Sequence, residues 1–418
     1  MAVPNGSVNT SQIFLYFGSL TLLVFLVAPE NLLDIPTTYM LKNHLHATAP
    51  QVSMFRLLTG VPMYFAFLFG FVRDVWNPFG WRDLGYFRLF VPLTAGVFTW
   101  MALIRLSYPG LLIGMILATL SYGFILAAYS GLIALVGQEA LMSGRLSALW
   151  SVFSNIPGIA AVFAAGFISE YLSPGQTFFL AVVLTLAICP FGLWKPSAVF
   201  SASYDNPQDR GSSFLGDVTR LVKHRAIYPA LLINFLWYFA PGAYTPLQFY
   251  LTNQLHASDV VYPYYLGIWL TSYLPTFLLY GLLCTKVPPQ KMLWWATIAG
   301  VPQMIPLVFI HSGNLALLMA VPMGLMGGLA QAAYIDLAIR SCPPGLQGTL
   351  MMLVGSVIML ALRGSDVLGS KIYASSPDRG FLYCVIVMTA VYALILLVIP
   401  FIPKQLIAAA DGEPNPAT

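Results

Sequence analysis

Two carboxylates, Glu30 and Asp34, stand four residues apart in the apolar stretch Val27-Ala28-Pro29-Glu30-Asn31-Leu32-Leu33-Asp34. On a helix that spacing puts both on one face, and the proline just ahead of them interrupts the helix. An ionisable group at membrane depth costs roughly 3 kcal/mol or more unless it is paired or hydrated, so an acidic pair among such neighbours suits a proton relay or a cation site. The plainer alternative is a carboxyl held neutral by a structural hydrogen bond. Arg363 and Asp366 repeat the pattern at a spacing of three. The planar fork of an arginine grips a carboxylate bidentately, so Arg363 is a candidate anchor for negative charge on a solute, or else it is neutralised by Asp366 or Glu30. Arg56 is expected to snorkel or to gate. Asn155 and Gln331 have the donors and acceptors to read the edge of a heterocycle, or to bond a neighbouring helix. Tyr244, with Trp237 and Tyr238, offers an aromatic wall to a flat ligand, or simple packing. No phosphate-cradling glycine loop, activated nucleophile or metal-ligand cluster accompanies them, so neither an enzyme nor a cofactor is expected.

These residues must be held by helices in hydrocarbon. Of 418 residues, 58% are hydrophobic and 8% charged, against about 25% charged in ordinary soluble domains. Apolar runs long enough to cross a bilayer recur from end to end, and they are continuous rather than alternating, which excludes an outer-membrane barrel. With proline, glycine and charge as punctuation, twelve spans are predicted near 12–42, 50–73, 87–106, 110–136, 144–168, 176–194, 226–252, 260–284, 290–310, 314–338, 346–372 and 380–402. The first is expected to be retained, since no basic leader precedes it. The polar break from Lys195 to Arg225 divides six spans from six and contains Ser201 to Pro207 and an amphipathic stretch over 214–223 suited to lying on the membrane. The expected organisation is therefore an N-terminal bundle over 1–194, a linker over 195–225 and a C-terminal bundle over 226–418. Cys189, Cys284, Cys342 and Cys384 lack paired or metal-ligand spacing and read as free thiols.

In this layout one face carries Arg73, Arg82, Arg88, Arg145, Lys195, Arg210, Arg220, Lys223, Arg225, Lys286, Lys291, Arg340 and Lys404; the other carries Lys42, Arg105, Lys371 and Arg379. The positive-inside rule assigns the richer face, and both termini, to the cytoplasm of a cell-membrane protein. The net charge of +4 follows from that topology and does not point to nucleic acid.

An internal repeat relates the halves. Leu41-Lys42-Asn43-His44-Leu45-His46-Ala47 matches Leu251-Thr252-Asn253-Gln254-Leu255-His256-Ala257 at an offset of 210, with Pro36 and Pro246 in register. Ala28-Pro29 and Ala240-Pro241 fall in comparable places, so spans 1 and 7 are each expected to be broken at the centre. Parallel six-span halves with broken helices resemble the major facilitator architecture, whose substrate site lies at mid-membrane between the halves. The segment from Gly70 through Asp74 and Gly80 to Arg82 resembles that superfamily's loop signature: Gly70 permits close helix approach, and Asp74 engages a helix N-terminus or a loop arginine.

Phe79-Gly80-Trp81-Arg82, Tyr39-Met40-Leu41-Lys42-Asn43, Phe249-Tyr250-Leu251-Thr252-Asn253-Gln254-Leu255 and, most specifically, Arg340-Ser341-Cys342-Pro343-Pro344-Gly345-Leu346-Gln347-Gly348-Thr349-Leu350 are similar to segments of the folate-biopterin transporter family. The resemblance implies an ion-coupled carrier for pterin-like or folate-like molecules. The chain departs from the family's pattern at Asp83 after Arg82, at Ala128-Tyr129-Ser130-Gly131 where acidic residues are usual, and at Phe153-Ser154-Asn155 where an arginine is expected. The carrier reading is unaffected by these departures, but the ligand is not carried over with it. The expected activity is secondary active transport of a small organic solute, pterin-like, aromatic or anionic, coupled to a proton or sodium ion in a monomer. Export of drug-like compounds and a non-transporting receptor are the rivals. In this reading Glu30 and Asp34 couple the ion; Asn155, Tyr244, Gln331, Arg363 and Asp366 join them at the substrate; and Gly70, Asp74, Gly80 and Arg82 gate.

Overall fold

A computed structural model describes residues 10–47, 49–200, 214–258, 261–376 and 378–413. Residues 201–213 of the linker, including Ser201 to Pro207, lie outside the described residues. The described residues are helical, with no strand among them. Among the described residues, nine helices are long and apolar enough to cross a membrane, and three further passages complete twelve crossings. Two of those three are broken: Thr10–Leu26 continues through Pro29–Leu32 and Asp34–Tyr39 into Met40–His44 as span 1, and Ile227–Tyr238 through Thr245–Phe249 into Tyr250–Gln254 as span 7. The third is span 5, Ser143–Tyr171. Large apolar side chains such as Leu103, Leu282 and Phe401, exposed by 81, 70 and 77%, face outward, as a lipid solvent requires and water would penalise. Phe214–Lys223 forms the helix expected between the halves, and its Arg220 donates to the carbonyl of Pro344.

Each half has its own core. One cluster gathers residues from Ile13 to Phe200 with Met352 as its visitor; the other gathers residues from Ala230 to Ile407 with Ala148 as its visitor. The repeat is visible in backbone detail. Spans 1 and 7 both close on a π-helical turn, Met40–His44 and Tyr250–Gln254. Leu45 N donates to Met40 O and Leu255 N to Tyr250 O, both at 3.1 Å, while Ala47 N and Ala257 N reach Leu41 O and Leu251 O, both at 2.9 Å. His46 and His256 then reverse the chain at φ of 49° and 51°. An unusual turn of this kind, often found at functional sites, recurs in register in both halves and extends their likeness beyond the five identical residues of the seven-residue match.

The helices end at Leu26 and Tyr238, and each break holds an alanine before a proline, whose ring disfavours the helical conformation behind it. In span 7 the chain unwinds through Gly242 at φ 139°, and span 11 comes so close there that a Cβ on Gly369 would lie 2.8 Å from the Gly242 nitrogen. Irregular backbone at membrane depth is tolerated where it lines a cavity, and both breaks do.

Candidate functional site

Glu30 and Asp34 follow the first break on separate short helices, Pro29–Leu32 and Asp34–Tyr39, with Leu33 as the joint. Both line a pocket of about 270 Å³ together with Asn31, Arg56, Thr119 and Arg363. Glu30 and Arg363 are exposed to it. Asp34 is held by Arg56 at 2.9 Å, with both side chains about two-fifths exposed. An ion pair so open to water contributes about 0–1 kcal/mol, so it yields readily to an ion or an anionic ligand. Asp366 departs from expectation: its carboxylate accepts from Thr245 N at 3.0 Å and Thr245 Oγ1 at 2.7 Å. It caps the restarted helix of span 7 and is absent from the lining of either pocket, because span 11 crosses the break at that level.

Asn31 also lines the neighbouring cavity, of about 410 Å³, which lies between the halves. The N-terminal half brings Asn155 and Trp150 to it, and the C-terminal half brings Tyr244, Gln331, Trp237 and Tyr238. Asn155 spends a donor on Ser151 O at 2.7 Å. Trp237 is itself braced, with Tyr392 and Tyr334 at ring distances of 5.0 and 5.3 Å, so the aromatic wall is pre-set rather than adaptable. Several lining residues escaped the sequence reading, Trp269 and Gln303 among them. Trp269 of span 8, Val261–Leu283, leaves its Nε1 donor without a hydrogen-bond partner, and Gln303 of span 9 likewise leaves its Oε1 acceptor. Gln303 sits where Pro289–Gly300 tightens into the 3-10 stretch Val301–Phe309, since Pro302 and Pro306 each remove a backbone donor. A polar residue beside a proline in an apolar span was the available signal, the same one that picked out Glu30.

At one end the halves are locked. The carboxylate of Asp74, at the end of Phe67–Val75, receives Gly348 N at 3.1 Å, Thr349 N at 2.6 Å and Thr349 Oγ1 at 2.7 Å. These belong to the first turn of span 11, Gln347–Ala374, whose positive dipole end favours an anion. The guanidinium that meets Asp74 is that of Arg73, at 2.8 Å, not that of Arg82; Arg73 also grips Asp83 through two bonds of 2.6 and 2.7 Å. Arg82 instead lies in the turn after Val75, at φ 48° beside Gly80 at φ 74°, its N–H bonded to Asn77 Oδ1 at 2.6 Å. Gly70 is where spans 2 and 11 touch: a Cβ there would lie 2.3 Å from the Gly348 carbonyl oxygen. Gln138 adds bonds to the carbonyls of Ile339 and Cys342 at 2.9 and 2.8 Å. The lock and the exposed Glu30, Arg56 and Arg363 lie at opposite depths, so the cavity opens away from Asp74.

Comparison with known proteins agrees with this geometry. The family model described as Major Facilitator Superfamily matches residues 10–362. A folate-biopterin transporter of Synechocystis sp. is 22% identical over 345 residues, covering 78% of this chain and 68% of its own length. Among solved structures, the fucose:proton symporter FucP of E. coli superposes with a TM-score of 0.72 at 17% identity, over 95% of this chain and 100% of its own. The proton:xylose symporter XylE superposes with a TM-score of 0.68 at 14% identity, over 96% and 98%.

Proposed function

The chain belongs to the Major Facilitator Superfamily and is a secondary transporter, and from that premise we propose that it carries a flat, anionic organic solute across the cell membrane, coupled to the movement of a proton or sodium ion as in a symporter. The observation that carries this reading is the junction of two unlike pockets: an aromatic cavity between the halves, and a charged one holding Glu30, Asp34, Arg56 and Arg363, joined at Asn31. A planar ring stacks among Trp237, Tyr238 and Tyr244, with Asn155 and Gln331 at its polar edge, and its negative group meets Arg363. Glu30 and Asp34 take up the coupling ion. Asp74 and Gly70 hold the opposite face shut, and parting them lets the halves rock about the site. That face is the cytoplasmic one, by the lysine and arginine bias. The likeness to a folate-biopterin transporter makes pterins and folates the first solutes to try.

The test is uptake into proteoliposomes. With a pH or sodium gradient imposed, a pterin, a folate or another carboxylated heterocycle should accumulate above its external concentration. If none accumulates while a neutral sugar does, the proposed substrate class is wrong. A solute that stabilises the protein thermally but never crosses the bilayer would mean a receptor.

A further inference from the structure

The lock at the Asp74 face has a second half, built differently. The offset of 210 that relates the repeats places Cys284 where Asp74 stands, so the end of span 8 lacks the carboxylate that the end of span 2 supplies. The packing is nonetheless equivalent. A Cβ on Gly348 would lie 2.7 Å from Asp74 Oδ1, and a Cβ on Gly144, in the first turn of span 5, would lie 2.8 Å from Cys284 Cβ. The missing carboxylate arrives from the C-terminal tail. Asp411 Oδ1 accepts from Gly144 N at 3.0 Å, and Oδ2 accepts from Arg145 N at 3.2 Å and Arg145 Nε at 3.0 Å. In span 5 as in span 11, the carboxylate receives the second and third backbone N–H groups of the helix.

Asp411 is held from both halves. Its own N–H donates to Cys284 O at 3.0 Å, and the next residue, Gly412, donates to Leu141 O at 2.7 Å. Arg340 of the C-terminal half donates to Asp411 Oδ1 and to Ala409 O, both at 3.3 Å, while its Nε is kept by Asp336 at 2.9 Å. Asp336 in turn accepts from Tyr280 OH at 2.7 Å. The Asp411 side chain is completely buried in this cluster. A tail bonded to Leu141, Gly144 and Arg145 on one side and to Cys284 and Arg340 on the other cannot keep both sets when the halves part.

We propose that the C-terminal tail is a working part of the transport cycle, with Asp411 as a positioning residue that bolts the cytoplasmic face shut and must leave the span 5 N-terminus before that face opens. This rests on the alternating-access reading above, but its test needs no substrate. Cys342 and Cys284 are buried at the closed face, whereas Cys384 is buried in the C-terminal half beside Gly369, near the break in span 7. Maleimide labelling of each thiol, read by mass spectrometry on the full chain in liposomes, reports opening of the face against general unfolding. D411N should speed labelling of Cys342 and Cys284 about tenfold or more, the scale of losing a buried carboxylate from a helix N-terminus, with Cys384 unchanged. Adding C284D to D411N restores a carboxylate at the Asp74-equivalent position and should return Cys342 to the wild-type rate. D74N is the reference for opening by the other half of the lock. If D74N speeds labelling of Cys342 and D411N does not, the tail is a passenger and the proposal fails alone. If neither does, the alternating-access reading fails with it. A rise at Cys384 in D411N, or no rescue by C284D, makes Asp411 a folding element and overturns the proposal.

Discussion

Asp34 and Glu30 are neighbours with different company, and their variants should separate accordingly. Asp34 already has Arg56 at 2.9 Å, whereas Glu30 shares its pocket with Arg363. Neutralising either, by E30Q or D34N, should abolish gradient-driven accumulation in proteoliposomes while leaving solute exchange measurable; concentrative uptake that persists in both would remove the coupling role. R363A should weaken binding of an anionic solute about tenfold to a hundredfold, the worth of a hydrogen-bonded charge pair of about 1.5–3 kcal/mol, yet leave an uncharged analogue of the same ring unaffected. Equal losses for both analogues in calorimetry would show that Arg363 shapes the site rather than reading charge. Gln303 makes a third case. Its buried Oε1 has no partner, and an unsatisfied polar atom costs about 1–3 kcal/mol. The same amide also bonds Tyr392, so it is fixed on one side and aimed at the cavity on the other; Q303L should lower solute affinity, and an unchanged affinity in calorimetry would mean that Gln303 does not read the solute.

Among the helices, spans 2 and 11 touch where neither has a side chain to spare. With a Cβ on Gly70 only 2.3 Å from Gly348 O, G70A forces the two apart, and backbone cannot yield as a flexible side chain does. The closed face should then be populated less. Spin-label distances between the loop after Val75 and the loop before Gln347 should lengthen and broaden, and net transport should slow several-fold. An unaltered distance distribution in G70A would mean that the contact is incidental to gating. Proline decides the other flexible points: the breaks in spans 1 and 7 lie at Ala28-Pro29 and Ala240-Pro241, and the tightened stretch of span 9 carries Pro302 and Pro306. Each interruption faces a pocket, so the same residues that loosen the helix also leave polar groups free at the depth where a solute would sit.

At the scale of the molecule, two bundles share a cavity that is closed at the Asp74 face and open at the other. If the closed face is cytoplasmic, a reporter enzyme fused after Thr418 should be active only inside the cell, and one inserted after His46 only outside; the opposite pattern would invert the proposed orientation and with it the direction in which the lock works. The solvent, the number of crossings, the duplication and the positions of the broken helices were all legible in the sequence, because hydropathy, prolines and a shared register are properties of the chain read in one dimension. The residues at Glu30, Asp34, Asn155, Tyr244, Gln331 and Arg363 could be singled out for the same reason, as polar or aromatic groups in apolar runs, and the structure gathers them around two adjoining pockets. Pairings were not legible. That Arg73 rather than Arg82 meets Asp74, that Asp366 turns to Thr245, that Trp269 and Gln303 line the cavity, and that Asp411 reaches span 5 depend on how each helix is rotated about its axis and which neighbour it packs against. Asp74 and Thr349 are 275 positions apart. A helix in lipid has no polar side to declare its orientation, so only the packing of all twelve spans could decide which charges meet.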